Sequence, residues 1–411
     1  MEKLVPKLRF PEFYGNWEKK KINEIAEKIN SGKTPLGGET VYTENGVTFI
    51  RSQNINDDKL LLDNVVYIPE EINKGMKNSV VKPNDILLNI TGASLGRSCV
   101  VPENFTIGNV NQHVCIVRLD EENNPNFIQS FFSSFKGQII FQSLQTGSGR
   151  EGLNFESIKG IKINLPSLPE QQKIATFLTS VDERLTLLAQ QKEKLELYKK
   201  GVMQQIFSQK LRFKDENGNG YSDWEEKKLG EVFNSFKGKG LSKDKIIQNG
   251  KNKCVLYGEL YTKYSEVIKN IKSSTDSNDG EISKVGDILI PASTTTSGID
   301  LANVTALNEN GVLLGGDITI LRGKNKICNE FYSYYLSNYK KYELAKYGQG
   351  TTIVHLYFSH FKNMKIDIPC LEEQQKIASF LSAIDVQIEG VSKKIEQTKW
   401  FKKGLLQQMF V

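Results

Sequence analysis

The ten residues PEQQKIATFL, beginning at Pro169, return as EEQQKIASFL, beginning at Glu372. At a constant offset of 203 the match runs from Glu170 to Phe207 and from Glu373 to Phe410 without a gap, with about 16 of 38 positions identical. It closes as it opens: KKGVMQQIF (Lys199 to Phe207) is answered by KKGLLQQMF (Lys402 to Phe410). A gapless match of this length implies an internal duplication, so the chain must fold as two like halves.

Both copies read as long helices. In the first, Ile174, Leu178, Val181, Leu185, Leu188, Leu195, Val202 and Ile206 recur at alternating four- and three-residue steps or multiples of them. In the second the series is Ile377, Leu381, Ile384, Ile388, Val391, Ile395, Leu405 and Met409. An apolar seam of period 3.5 keeps facing one partner helix, which predicts a coiled coil; the competing reading is two amphipathic helices in unrelated cores. Lys192 and Lys199 interrupt the first seam and Thr398 and Lys402 the second, so the far ends are expected to splay or to meet something else. Ser167 and Glu170 form S-x-x-E ahead of the first run, a capping-box pattern that Cys370 breaks in the second copy. Each helix would be about 57 Å long.

A second set of repeats precedes each helix. KLRF occurs at Lys7 to Phe10 and at Lys210 to Phe213, and NWEKKKINEI (Asn16 to Ile25) resembles DWEEKKLGEV (Asp223 to Val232). NDILLNIT corresponds to GDILIPAS, and HVCIVR (His113 to Arg118) to DITILR (Asp317 to Arg322). Strand-like segments, Gly/Asn turns and a few helices fill both intervals, which predicts α+β domains. The order is domain (1–165), helix (166–209), domain (210–368), helix (369–411). The flanks are alike, whereas the interiors from about Thr34 to Gly160 and from Leu241 to Asn363 differ greatly. Two domains that share a frame and differ in contact surface would look like this; so would drift after duplication. The repeat is also cyclic: QQIFSQKLRF, from Gln204 to Phe213, reappears with a break as QQMFV at the carboxyl end followed by MEKLVPKLRF at the amino end. Under pseudo-two-fold symmetry the second helix must return towards the first domain, which makes the two helices antiparallel and brings Val411 close to the first residues.

With 411 residues, 38% hydrophobic and 25% charged, the chain has room for two or three cores. No apolar run approaches 18 residues and the first ten residues lack the apolar core of a signal peptide, so no membrane association is expected. Cys99, Cys115, Cys254, Cys328 and Cys370 are scattered without a CxxC pair, which argues for a reducing compartment and against a zinc site. A net charge of +6 is compatible with a nucleic-acid partner.

Patterns that suggest catalysis fail in context. GSGREG (Gly147 to Gly152) fits G-x-G-x-x-G but lacks the buried strand before it and the helix after it. SGKT (Ser31 to Thr34) ends like a phosphate loop, yet Glu27 occupies the position of the required glycine. His113, His355 and His360 have no metal-ligand spacing and are assigned surface or core roles. Nothing nominates a nucleophile or a general base. Polar clusters remain. In the first domain they place Arg51, Gln53 and Asn54 at a strand end, Arg97 on a glycine-rich loop after a strand, and Arg150 and Asn154 beside GSGREG. In the second they place Lys237 and Lys239 in SFKGKGLSK, Thr294 and Thr295 in ASTTTSG, and Thr351 and Thr352 in GQGTTIVHLY. Arg, Gln and Asn suit base edges, and Lys, Ser and Thr suit phosphates; each cluster alone also reads as a solvated loop.

LPSLPEQQKIATFL and IPCLEEQQKIASFL, together with LRFPEFYGNWEKKKI, IRSQNI, NDILL/GDILI and NVNQHVCIVR, resemble phrases of the specificity subunits of type I restriction–modification systems. The resemblance covers nearly the whole chain and implies the following. There would be two target-recognition domains, each reading one half of an asymmetric, bipartite double-stranded DNA target. The two long helices would form an antiparallel coiled coil and dock two modification (methyltransferase) subunits, through Glu170, Gln171, Gln172 and Lys173 in one copy and Glu373, Gln374, Gln375 and Lys376 in the other. This chain would hold no cofactor; S-adenosylmethionine, ATP and Mg would belong to the modification and restriction/translocase subunits, and the complex would be cytoplasmic. YGELY stands where the first domain has RSQNI, so the second domain fits the family pattern less well. The alternative is a coiled-coil scaffold with two ligand-binding domains and no DNA role.

Overall fold

The structure, a computed structural model, describes residues 4–145 and 152–411. It divides into two compact units, one of residues 1–190 and 392–411, the other of residues 191–391, so each long helix contributes a part to both.

The first unit is built on two sheets. One has the order Ala26–Ser31, Val114–Leu119, Ile86–Asn89, Ser98–Val100, all antiparallel. The other has the order Val66–Ile68, Val47–Ile50, Gly108–Val110, Val80–Val81, with a parallel pairing at its centre. Ile86–Asn89 is buried along its whole length because both faces are covered. Ile86, Leu88 and Ile90 enter the large core, while Leu87 enters a second core with Val81 and Val110. A strand with two buried faces reads as a continuous apolar run, which is why DILL shows no polar alternation.

The second unit repeats the plan. Its five-stranded sheet runs Phe233–Lys237, Ile318–Gly323, Asp287–Pro291, Thr305–Leu307, Val267–Ile268. Its four-stranded sheet again holds one parallel pair, Asn252–Val255 with Leu313–Leu314. Ile288 and Ile290 face one core and Leu289 the other.

Two buried ion pairs explain the repeated strand phrases. Asp85 is fully buried, caps the turn before its strand through Lys82 N–H, and accepts two bonds from the Arg118 guanidinium at 2.7 and 2.8 Å. Asp287 does the same with Lys284 N–H and Arg322. The aspartate and the arginine of NDILL…CIVR and GDILI…TILR are therefore one device, twice.

The long helices run Leu168–Phe207 and Leu371–Gln408. In the first unit Ile174, Leu178 and Val181 share a core with Leu405, Met409 and Phe410. Asp182 meets Lys402 while Asn164, before the first helix, meets the backbone of Val411, so the two segments are antiparallel. In the second unit Met203, Ile206 and Phe207 share a core with Ile377, Leu381 and Ile384. The terminal phenylalanine of each copy plugs the adjoining domain. Phe410 lies 5.2 Å from Phe127 and 6.0 Å from Phe131, and Phe207 lies 5.9 Å from Phe331 and 5.2 Å from Tyr335. The cyclic repeat has a matching hydrogen bond: Leu211 N–H donates to Gln205 O within a continuous turn, and Leu8 N–H donates to Gln408 O across the break.

Two of the lysines that interrupt the seam, Lys199 and Lys402, do not splay the helices. Lys402 Nζ bridges Asp182 of the first helix (2.7 Å) and Asp58 of the first domain (2.9 Å). Lys199 Nζ bridges Asp385 of the second helix (2.7 Å) and Glu266 of the second domain (3.1 Å). Burial alone would lower Lys402, but the two carboxylates outweigh it and hold the ammonium above the ordinary lysine value. Glu266 is likewise pushed up by burial, yet Lys199 and the Asn338 amide dominate and hold it below the usual carboxylate value. Removing the cation leaves two carboxylates facing each other, so Lys402→Met should destabilise the first unit and Lys199→Met the second by about 2 kcal/mol each, below the cost for a fully buried pair because the partners are partly solvated. Glu266, being depressed, contributes stability that is present above its unfolded value and lost as pH falls through its folded one. That acid limb should vanish in Lys199→Met, as thermal melting between pH 3 and 6 would show.

Candidate nucleic-acid interface

In the first unit, Arg51 directly follows the strand Val47–Ile50 and lays its guanidinium 5.5 Å from the centre of the Tyr42 ring. Its Nε is buried without a hydrogen-bond partner. Gln53 is exposed, but Asn54 is buried: its Oδ1 accepts Arg51 N–H and its Nδ2 donates to Leu61 O. Both ends of that amide hold the loop together, which leaves Gln53 as the outward amide of the pair. Arg97 is exposed and donates to Asn56 Oδ1 at 3.0 Å, while Asn89 Nδ2 donates to Ser52 O. The 51–56 and 91–97 segments thus meet, the first following Val47–Ile50 of one sheet and the second Ile86–Asn89 of the other. Asn154 caps the short helix Phe155–Lys159, its Oδ1 accepting Ser157 N–H at 2.7 Å. Arg150 lies outside the described residues, as does most of GSGREG.

In the second unit, Ser293–Thr294 pairs with Val354–His355, which joins ASTTTSG to GQGTTIVHLY. Thr295, Thr351 and Thr352 are exposed; Thr294 is buried and shares its hydroxyl with Thr296. Lys237 ends the strand Phe233–Lys237, and its ammonium lies 5.2 Å from the centre of the Tyr357 ring, beside the same segment. Lys239 is turned elsewhere and pairs with Glu281 at 3.2 Å.

The glycine of SGKT has a backbone task. A Cβ at Gly32 would fall 1.6 Å from Val110 O, and one at the equivalent Gly238 would fall 1.9 Å from Gly315 O. Only glycine lets the two backbones cross there. Among the described residues no His, Cys, Asp and Glu cluster could hold a metal ion, and no helix is long and apolar enough to cross a membrane.

The EQQK motifs divide by side. Glu170 is 1% exposed, and its carboxylate takes Arg9 Nε at 2.8 Å, Arg9 Nη2 at 2.7 Å and Trp17 Nε1 at 3.3 Å. Glu373 takes Arg212 Nη2 at 2.8 Å and Trp224 Nε1 at 3.0 Å. The expected capping box is therefore replaced: Ser167 O accepts Gln171 N–H, while Glu170 turns to Arg9. Gln171 is buried, accepting Asn124 N–H and donating to Pro166 O; Gln374 accepts Cys328 N–H and donates to Pro369 O. Gln172, Lys173 and Gln375 are exposed, and Lys376 is half-buried with its ammonium on Lys214 O. KLRF, the tryptophan and EQQ, distant in sequence, close into one clasp in each unit.

His113 and His355, assigned surface or core roles from the sequence, lie among these segments together with Thr91, Gln112, Ser293 and Tyr357, which the sequence did not mark as contacts. The matched phrases NDILLNIT and GDILIPAS did carry a trace of them, since both end in a hydroxyl residue, Thr91 or Ser293.

The sequence matches the family described as "Type I restriction modification DNA specificity domain" twice, over residues 14–197 and 221–399. It is 28% identical to the Type I restriction enzyme MjaVIII specificity subunit of Methanocaldococcus jannaschii over 97% of this chain and 92% of that protein. It is 26% identical to the putative type I restriction enzyme MjaX specificity subunit of the same organism, over 98% and 95%. In fold it is similar to the crystal structure of a type I restriction–modification S subunit from M. genitalium, with a TM-score of 0.60 and 19% identity over 99% of both chains. With both units matched, the chain belongs to the type I restriction–modification DNA specificity family and carries its domain as a tandem repeat.

Proposed function

We propose that this chain is the sequence-reading subunit of a type I restriction–modification complex, with each unit reading one half of a bipartite double-stranded DNA target. The observation that carries the reading is the split between frame and surface. The Asp–Arg pairs, the Arg–Trp–Glu clasps and the phenylalanine plugs are the same in both units. The exposed or half-buried groups at the strand ends differ: Arg51, Gln53 and Arg97 in one, Lys237, Thr295, Thr351 and Thr352 in the other. Two like modification subunits would dock on the repeated helices. The outward residues Gln172 and Lys173, Gln375 and Lys376 fit that role, as do the exposed pairs Leu197–Tyr198 and Trp400–Phe401, equivalent at the offset of 203. The chain itself would be non-catalytic, with S-adenosylmethionine, ATP and Mg on its partners, and would work in the cytoplasm.

Mapping N6-methyladenine in host DNA with and without this subunit is the test. A defined, two-part motif should disappear with the subunit; an unchanged methylation pattern refutes the reading, and assembly of partners without any DNA binding favours a scaffold. In the assembled complex, alanine at Arg51, Arg97 and Arg150 together should weaken cognate binding, each base-reading arginine being worth roughly 1–3 kcal/mol of discrimination. Unchanged binding would remove these residues from the interface.

A further inference from the structure

The hydroxyl just past each central strand carries an imidazole. Thr91 Oγ1 lies 2.6 Å from His113 Nδ1, and Ser293 Oγ lies 2.9 Å from His355 Nδ1. The two hydroxyls are equivalent, each six residues after the buried aspartate of its unit, Asp85 or Asp287. The two histidines are not equivalent. His113 immediately precedes the strand Val114–Leu119, where the second unit has Asp317 ahead of Ile318–Gly323. His355 pairs with Ser293 across two short strands, where the first unit has Gly152 bridged to Thr91. Duplication copies a residue into the same place of the frame. It does not account for two imidazoles that reach one hydroxyl position from different loops.

The pair also stands where the candidate contact segments converge. In the first unit Thr91 opens the loop that carries Arg97, and the other ring nitrogen, His113 Nε2, lies 3.1 Å from the exposed Gln112 amide, which also bonds the Thr34 hydroxyl. In the second unit Tyr357 stacks on His355 with ring centres 5.5 Å apart, its Oη lies 3.2 Å from Nδ1, and Lys237 lies over the Tyr357 ring. Both histidines are half-buried rather than sealed in a core. With Nδ1 held by a hydroxyl, Nε2 is the other hydrogen-bonding atom of the ring, and the hydroxyl decides whether it donates or accepts; in the first unit Nε2 takes the exposed Gln112 amide, whose place a base edge would take. A single directed atom on a rigid, half-buried ring suits the N7, O6 or N6 edge of a purine in the major groove.

We propose that His113 and His355 are base-contacting residues, one at the centre of each unit's DNA-reading surface. The different collars, Gln112 and Thr34 in one and Tyr357 and Lys237 in the other, would give the two imidazoles different base preferences. The inference rests on the DNA-reading assignment above.

The test uses the full chain assembled with its modification subunits, with methylated sites mapped and duplex binding measured across a salt series. His113→Ala should relax discrimination at one base pair of one half by about ten- to a hundredfold, and His355→Ala should do so in the other half. The salt slope should not change, because no phosphate contact is removed. Gln112→Ala and Tyr357→Phe, milder changes at the collars, should each alter preference in the same half as their histidine even if an alanine variant folds poorly. An unaltered motif in all four variants overturns the proposal. So does an equal loss on every DNA sequence accompanied by a lower melting temperature, which marks a structural pair. If the unmutated complex methylates no defined sequence, the DNA-reading assignment fails and takes this inference with it, a result visible before any substitution is made.

Discussion

Replacing residues 34–160 with the matching interval of a relative should exchange one half of the methylated sequence completely and leave the other half untouched. The interval carries Arg51, Gln53, Arg97 and His113, the exposed or half-buried groups at the strand ends. It leaves in place the clasp of Arg9, Trp17 and Glu170 and both long helices. One constraint follows from the fold. Ala26–Ser31 stays behind but pairs with Val114–Leu119 inside the interval, from Lys28 opposite Arg118 to Ser31 opposite Cys115. A slip of one residue there would turn every side chain to the wrong face. The donor must therefore supply the aspartate and arginine equivalent to Asp85 and Arg118 at the same spacing. Given that, methylome sequencing should report a hybrid motif. An exchange that alters both halves, in a complex that still assembles, would contradict independent reading by the two units.

Glu170→Ala should destabilise the first unit by about 3–5 kcal/mol, the cost of stripping one partner from a buried ion pair. Arg9 is largely buried and gives two bonds to that carboxylate, and Trp17 gives a third. With alanine there, a guanidinium and an indole N–H lose their acceptor inside the protein. Glu373→Ala should do the same to the second unit through Arg212 and Trp224. For units of about 200 residues this corresponds to a fall in melting temperature on the order of 10 °C. Gln172→Ala and Lys173→Ala, on the outward side of the same turn, should leave melting unchanged and weaken only the docking of a modification subunit. The reverse pattern, with Glu170→Ala folding normally and failing only in assembly, would mean that the glutamate serves the partner and not the clasp.

Repetition made the large-scale plan legible. A gapless match at a fixed offset, with apolar residues at a 3.5-residue period, specifies two long helices, two like domains and a cyclic order from local composition alone, because helix periodicity is a property of consecutive residues. Candidate segments at strand ends were legible for a similar reason: glycine, polar and basic residues after an apolar run mark where a strand stops.

What individual side chains do was decided by tertiary structure. The same amide reads as a base-reader or as a loop brace, and only the position of Leu61 O makes Asn54 a brace. Glu170 fits a helix-capping pattern in sequence, yet Arg9, 161 residues away, captures it, as Arg212 captures Glu373 in the second copy, where Cys370 had already broken the pattern. Lys199 and Lys402 look like faults in a seam until Glu266 and Asp58 arrive beside them from the globular domains. The imidazole–hydroxyl pairs were the least legible, since each depends on two loops that share no local pattern. Chain-local chemistry determines which elements form and where they end; which polar group finds a partner, and which remains to face a ligand, depends on contacts that exist only once distant segments have packed.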